Sequence, residues 1–443
     1  MADAVVPGAS SVIPEDVTQN IDPRLTRMFL KKEALVGIQS TFSHYIEPVR
    51  PPAQTDHDFI FELPNTGSSY IDLKNTELYI RGCLKGRSGQ DIPPDEKVIV
   101  SNNFIHTLFE SVTIYIGHNQ TEIFSGDHPY KAYMRQLMRN NVRTPNLRNE
   151  GMQIEATSTL YDNDYEMGEG RKIWTQGSRT VEFLGKTLLD FFQTEGYLMP
   201  ATPVRIKYRK SRDAFYVVTD TSLKDQEYNF VIDKIGLVMP CMNIVPALTP
   251  LLEMQTEQIP AQYEYDALHM KQFSVPQGTI VRKFTRIFEG KIPKKLIVGF
   301  FKQDAFSGQR DLSPFMTYPI DLRQISLSVN GVVLREMKTH FGNNLYIEAY
   351  RRLTDWMNAT GKKYFIDYEN FKNGYRYFCF NLLENCPSNA DCVEQTMQQG
   401  YADISIQLGE ALSDHCLMLV FYESSETVEI TRDRAIRYVP GII

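Results

Sequence analysis

The side chains that could do chemistry in this chain are present, but they are spaced wrongly for it. The eight histidines (His44, His57, His106, His118, His128, His269, His340 and His415) are scattered, and no two fall within four residues of each other. A zinc or iron centre carried on one element needs HxH or HExxH spacing, so the metal-dependent two-sandwich enzymes are disfavoured. Six cysteines (Cys83, Cys241, Cys379, Cys386, Cys392 and Cys416) include no CxxC pair, and five residues separate Cys386 from Cys392. They read as reduced, mostly buried thiols of a protein folded in a reducing compartment. Neither GxxxxGK[ST] nor GxSxG occurs, which removes the phosphate cradle and the strained serine elbow. Gly82-Cys-Leu-Lys-Gly-Arg-Ser-Gly89 is glycine-rich and basic, but it follows a strand and leads into Pro93-Pro94, so it reads as a loop. Asp162 and Asp164 sit in a turn-like Tyr161-Asp-Asn-Asp-Tyr165. The expectation is a protein with no catalytic residues, no metal and no cofactor.

Charge is the next chemistry to weigh. The formal net charge is −7 over 443 residues, which argues against a surface built to coat a polyanion. Two basic stretches stand out locally. In Val204-Arg-Ile-Lys-Tyr-Arg209 the cations Arg205, Lys207 and Arg209 alternate with apolar residues, so they share one face of a strand. That face either meets nucleic acid or an acidic neighbour, or is a solvated face or a guarded edge. Near the start, Arg24, Arg27, Lys31 and Lys32 alternate with Leu25, Met28, Phe29 and Leu30. Residues 1–34 read as an arm that takes shape on meeting a partner. Met1 to Pro14 lacks the basic start and apolar core of an export signal, so the sequons at Asn119 and Asn358 read as coincidence. Ile235 to Leu252 carries no charge, but Pro240, Pro246 and Pro250 interrupt it. It reads as a last strand and a proline-rich connector.

The elements that would position these residues are written twice. Val112-Thr-Ile-Tyr-Ile116 and Ile325-Ser-Leu-Ser-Val329 are alternating strands 213 residues apart, and Ala132-Tyr-Met-Arg135 and Ala349-Tyr-Arg-Arg352 lie 217 apart. Gly196 before the Val204 run and Gly409 before the Leu417 run offer a third match, again 213 apart. Such spacing points to two tandem copies of one β-rich unit. Expected strands are short and close, among them 59–63, 78–84, 112–116, 204–208 and 230–239, then 280–288, 295–301, 325–329, 332–336, 376–382, 404–408, 417–422 and 428–431. Asn330-Gly331 predicts a tight hairpin. Each copy carries one amphipathic helix. Tyr130, Tyr133, Met134, Leu137 and Met138 share a face in the first; Tyr346, Ala349, Tyr350, Leu353, Trp356 and Met357 do so in the second, with Asn344 as cap and Gly361 as stop. These helices either plug the end of their own sandwich or pack on a neighbouring subunit through Tyr130, Tyr133, Arg135, Tyr350 and Arg352. The fold class expected is all-β, two tandem antiparallel jelly-roll sandwiches with short inserted helices. The boundaries expected are an arm at 1–34, a first jelly roll at 35–240, a linker at 241–262 and a second jelly roll at 263–443.

Phe29-Leu-Lys-Lys, Phe59-Ile-Phe-Glu-Leu, Leu78-Tyr-Ile-Arg-Gly, Asn103-Phe-Ile-His-Thr-Leu-Phe-Glu-Ser-Val-Thr-Ile-Tyr-Ile-Gly and Tyr130-Lys-Ala-Tyr together resemble the major capsid (hexon) protein of Polinton (Maverick) elements and the related adintoviruses. That resemblance covers the first two-thirds of the chain, and the second copy follows mainly in the order of elements. It implies a double jelly-roll subunit, a homotrimeric pseudo-hexagonal capsomer, and an icosahedral virion shell around double-stranded DNA. It also implies single-jelly-roll penton and minor capsid partners, no small-molecule substrate, assembly in the host nucleus or cytoplasm without secretion, and at most indirect contact with nucleic acid. The arm residues Arg24, Arg27, Lys31 and Lys32 would then face the inner surface or a neighbouring capsomer. A tandem carbohydrate-binding protein is the alternative; it needs exposed aromatic platforms at matching sites of both copies.

Overall fold

The computed structural model describes residues 37–53, 57–63, 67–138, 148–153, 169–293, 295–358, 366–382 and 399–442. Arg24, Arg27, Lys31, Lys32, Asp162, Asp164, Gly361, Cys386 and Cys392 lie outside them. The first lobe is built from β1 (Ile38–Ile46), β2 (Asp58–Glu62), β3 (Tyr70–Ile71), β4 (Glu77–Gly86), β5 (Val98–Val100), β6 (Phe109–Ile116), β7 (Thr121–Ser125), β8 (Val181–Lys186), β9 (Val204–Lys210), β10 (Val217–Thr219) and β11 (Tyr228–Ile244). The second is built from β12 (Ala261–Val275), β13 (Val281–Lys291), β14 (Lys295–Lys302), β15 (Leu322–Val329), β16 (Val332–Lys338), β17 (Phe378–Asn381), β18 (Gln399–Leu408), β19 (Cys416–Ile430) and β20 (Ile436–Ile442).

Strand order makes the two lobes the same object. The first pairs β1-β11-β4-β8 in one sheet and β2-β9-β6-β7 in the other; the second repeats this as β12-β19-β14-β17 and β13-β18-β15-β16. Every pairing is antiparallel. Leu78, Ile80 and Leu237 of one sheet meet Phe61, Ile114 and Ile206 of the other to fill the first core. Leu296, Val298 and Val420 meet Ile325, Leu327 and Ile404 in the second. Each lobe is a jelly roll, and the fold is a double jelly roll.

Pairing also corrects the repeat register. Ile114 of β6 faces Ile206 of β9, and the equivalent Leu327 of β15 faces Ile404 of β18. The counterpart of the Val204 strand is therefore β18, not the Leu417 strand, which belongs to β19 and the opposite sheet. The offset failed because 92 residues separate Ile114 from Ile206 while 77 separate Leu327 from Ile404; loops absorb length changes that paired strands cannot. Leu417–Tyr422 and Val428–Thr431, expected as two strands, run as the single 15-residue β19.

Local chemistry explains several joints. Asn330 and Gly331 take φ of 50° and 81°, the left-handed pair that a two-residue hairpin requires. Asn344 does not cap the second helix: at φ 56° it closes the preceding Phe341–Asn343 turn, and the helix runs Ile347–Asn358. Of the span expected as linker, residues through Ile244 belong to β11, and Thr249–Gln258 forms a helix before β12 begins at Ala261. Pro250 sits in that helix's first turn, where its missing N–H costs nothing, so the proline starts the helix instead of breaking it. Among the described residues no helix is long and apolar enough to cross a membrane.

Candidate functional site

The lobes are interlocked, and the junction between them is the most elaborately built part of the molecule. The His128–Met138 helix leaves the first lobe and places Tyr130, Tyr133, Met134 and Leu137 in the core of the second. Tyr133 stacks on Phe315 with centroids 4.5 Å apart, and Tyr130 meets Phe306 at 5.2 Å and Phe301 at 6.1 Å. Phe301 lies on the face of β14 opposite Phe300, whose ring meets Phe378 inside the sandwich. The helix thus covers the outer face of the second lobe's sheet. For that reason β14 and the first half of β19 are buried on both faces, and their sequences, Leu-Ile-Val-Gly-Phe-Phe and Leu-Met-Leu-Val-Phe, are continuous apolar runs.

The exchange is mutual. Tyr263, Tyr265 and Ala267 of β12, Val428 and Ile430 of β19 and Ile436 of β20 belong to the core of the first lobe. The Tyr263 hydroxyl accepts from the Met199 amide at 3.1 Å and donates to the Tyr197 carbonyl at 3.2 Å. Asn119 clamps Ile436: its Nδ2 donates to the Ile436 carbonyl at 2.8 Å, and its Oδ1 accepts from the Ile436 amide at 3.1 Å. The sequon asparagine is therefore engaged in holding the C-terminal strand.

Several charges at the junction are paired. Arg135 donates to Asp190 at 2.6 Å and to the Asp266 carbonyl at 2.5 Å, while Asp190 also accepts from the Leu268 amide at 3.2 Å. Lys131 stands 3.8 Å from Asp190. Arg310 reaches from the second lobe to Asp213 of the first at 2.6 Å. Arg171 is fully buried, donates to the Val100 carbonyl at 2.9 Å, and burial holds it down to about 10. Where β12, β19 and β20 pass from one lobe to the other, Glu426 accepts from Tyr265 at 3.0 Å, from His269 at 3.1 Å and from Tyr438. Burial works against the carboxylate, but these donors outweigh it and hold Glu426 at about 2.

These facts settle where the expected residues lie. Tyr130 and Tyr133 are buried inside their own chain and present no face to a neighbouring subunit; Arg135 is tied to Asp190 beside them. The first helix therefore lies between the lobes: His128 packs on His106 of its own lobe, while Tyr130, Tyr133, Met134 and Leu137 enter the core of the other. The second helix stays at home, with Ala349, Leu353 and Met357 in its own lobe's core. Tyr350 is half-buried and donates to the Ile366 carbonyl at 3.1 Å, and Arg352 pairs with Glu348 at 3.0 Å. Arg205, Lys207 and Arg209 do share one face, but each faces a carboxylate of a flanking segment: Glu62 at 2.8 Å, Asp58 at 2.8 Å and Glu110 at 2.8 Å respectively. Their strand β9 is interior to its sheet, so this is not a guarded edge.

The fold does bring two histidines together that the sequence kept apart. His106 Nδ1 and His128 Nε2 lie 3.3 Å apart, both rings buried, and burial drives His128 down to about 3. No spacing rule could have found this pair, because 22 residues separate the two. Among the described residues no group of three or more histidine, cysteine or acidic side chains is placed to hold a metal. Cys83, Cys241, Cys379 and Cys416 are buried free thiols, and burial pushes Cys416 up to about 12, far from the reactive range.

No known family model matches the chain. It is 21% identical over 346 residues to the uncharacterized protein F54H12.2 of Caenorhabditis elegans, covering 74% of this chain and 81% of that one. Among solved structures, it is similar over its whole length to a chain of the Sputnik virophage, with a TM-score of 0.60, 10% identity and 95% of that chain covered. The major capsid protein of mavirus aligns with a TM-score of 0.54 at 11% identity, covering 99% of this chain and 97% of that one. The Faustovirus major capsid protein aligns at 0.53 and 8% identity, over 95% of each chain. At such identities the likeness establishes a shared double jelly-roll fold.

Proposed function

We propose that this chain is a major capsid protein whose homotrimers form pseudo-hexagonal capsomers of an icosahedral shell around double-stranded DNA. One observation carries the proposal. The match to the mavirus major capsid protein covers 99% of this chain and 97% of that one. The assignment to an element of the Polinton or Maverick kind rests on the resemblance of the residues quoted above.

The intrachain junction supplies a reason for the trimer. The first lobe's helix covers the outer face of the second lobe's sheet. The equivalent outer face of the first lobe carries Tyr45, Tyr79 and Leu184, with Tyr45 40% and Leu184 38% exposed. The equivalent face of the second helix carries Ile347, 65% exposed, with Arg351 exposed beside it. A second copy that set its 347–358 helix on this sheet would repeat the intrachain contact between chains, and three copies would close the ring. Tyr350 and Arg352 flank that contact. In the assembled shell the Arg24 to Lys32 segment would lie toward the interior, and single-jelly-roll penton and minor proteins would fill the vertices. The carbohydrate-binding alternative loses its main support. Among the described residues, the exposed aromatics Phe42, Tyr45, Phe124, Tyr401 and Tyr438 fall on β1, β7, β18 and β20, which are not equivalent strands of the two lobes, and Tyr197 lies in the loop before β9.

Sedimentation and electron microscopy of the purified chain test the proposal. Three copies of the 51.0 kDa chain, seen as a six-lobed tile, are expected. A monomer at micromolar concentration would overturn it.

A further inference from the structure

The Thr249–Gln258 helix between the lobes has no buried residue, yet it is not a polar helix. Leu251 is 60% exposed, Met254 59% and Ile259, just beyond its end, 59%. Leu252 and Ile259 line one wall of a groove of about 610 Å³ whose opposite wall carries Tyr70, Tyr197 and Met199. An apolar helix beside an apolar groove is a surface that something covers.

The chain itself names the occupant. Its first described residue, Gly37, sits against this connector: the Gly37 carbonyl accepts from the Val245 amide at 3.1 Å, and a Cβ on Gly37 would lie 3.5 Å from the Leu248 side chain. The 36 residues before it therefore join the fold at the foot of the exposed helix. Within them Leu25, Met28 and Phe29 recur at i, i+3 and i+4, with Arg24, Arg27, Lys31 and Lys32 around them and no acidic residue from Arg24 to Lys32. The helix carries Glu253 and Glu257 and no cation. Glu257 pairs with Arg432 at 2.5 Å, while Glu253 has no ion-pair partner among the described residues. Eight residues from Phe29 to Gly37 reach about 26 Å when extended, more than the about 15 Å length of a ten-residue helix.

We infer that residues 24–32 of the same chain dock along the 249–258 helix, with Phe29 and Met28 in the groove against Leu252 and Ile259 and the cations toward Glu253. The arm's basic side is thereby fixed at the lobe junction, where it is available to the next layer of assembly. This deepens the capsid reading and rests on it only for that last consequence; the docking itself needs a single chain.

The test is photocrosslinking in the full-length chain with benzoylphenylalanine in place of Phe29. Irradiation is expected to yield adducts in 249–259 at the mass of one chain on a denaturing gel. Adducts only elsewhere, adducts only between chains, or none at all would overturn the inference. Leu252→Asp with Ile259→Asp, both at exposed positions lining the groove, is expected to lower the adduct yield at least fivefold; an unchanged yield overturns it too. Sedimentation of the same sample separates the two proposals. A monomer that still crosslinks internally sinks the capsomer and spares the docking, whereas a trimer without the adduct does the reverse.

Discussion

Two sheet faces that the topology makes equivalent have opposite environments. On the outer side of β12-β19-β14-β17, Ile297, Phe301, Leu419 and Phe421 are all buried. On the outer side of β1-β11-β4-β8, Tyr79 donates to Glu182 at 2.5 Å and Lys234 lies 4.7 Å over the ring of Tyr45, in contact with water. The helices differ in the same sense. Tyr130, Tyr133, Met134 and Leu137 face the other lobe; the residues 217 positions later are Ile347, Tyr350, Arg351 and Thr354. Duplication supplied two copies of one helix. One became fully apolar on its outward side and welded the lobes together; the other kept charges there, as expected of a surface that must stay soluble until it meets a partner. The two lobes are therefore one cooperative body.

The largest expected effect comes from breaking the weld. Tyr133→Ala removes the ring stacked on Phe315 and should cost about 3–5 kcal/mol, whereas the matched Tyr350→Ala, at a half-buried site, should cost about 1–2 kcal/mol. Urea denaturation followed by fluorescence measures both, and equal losses would erase the distinction between the helices. A single transition in both variants is expected, because each core contains residues of the other lobe. Next comes Arg135→Met, which leaves the largely buried Asp190 with the Leu268 amide and, 3.8 Å away, Lys131. We expect a loss of about 2–3 kcal/mol, against no more than about 0.5 kcal/mol for Arg352→Met, whose partner Glu348 is solvated.

The buried imidazole of His128 makes the junction sensitive to pH. Its folded value is depressed from the ordinary 6.5 to about 3, so below 6.5 the unfolded chain binds a proton that the folded chain refuses. Stability is fully present above 6.5 and falls as the pH drops, by about 1.4 kcal/mol per unit for this one group. Burial is the main cause of the depression; Asp190 works against it, and Lys131 and Arg135 add to it. Thermal unfolding between pH 7 and 5 should show that slope, and His128→Gln should flatten it. An identical slope in the variant would remove His128 as its source. The smallest change in stability, within about 0.5 kcal/mol, is expected for the exposed Ile347→Lys. The same substitution should nonetheless shift the sedimenting species from trimer toward monomer, and a trimer unaffected by it would place the contact elsewhere.

Much of the fold was legible in short-range pattern. The 112–116 strand, the Asn330-Gly331 hairpin and both amphipathic helices follow from alternation, left-handed turn residues and 3.6-residue periodicity. β1, β12 and β20 were not legible. Ile38–Ile46 is polar and mostly exposed, and the tyrosines of β12 are buried by the other lobe and not by their own. The third repeat match failed because strands of a jelly roll pair across the whole lobe, so a chance offset resembles a real one until the partner is known. At the junction the sequence singled out Tyr130, Tyr133 and Arg135 as packing residues, but an apolar stripe does not say which surface it will meet.

By itself the sequence determined the all-β class, the duplication, and histidine and cysteine spacings that rule out HxH, HExxH and CxxC motifs. These depend on neighbours a few residues apart or on a repeat, and both can be read along a line. Only the tertiary structure decided that the first helix crosses to the second lobe, that the basic strand is neutralised by Glu62, Asp58 and Glu110, and that His106 meets His128. Each of those outcomes depends on distances between segments tens to hundreds of residues apart, which are set when two sandwiches close on each other.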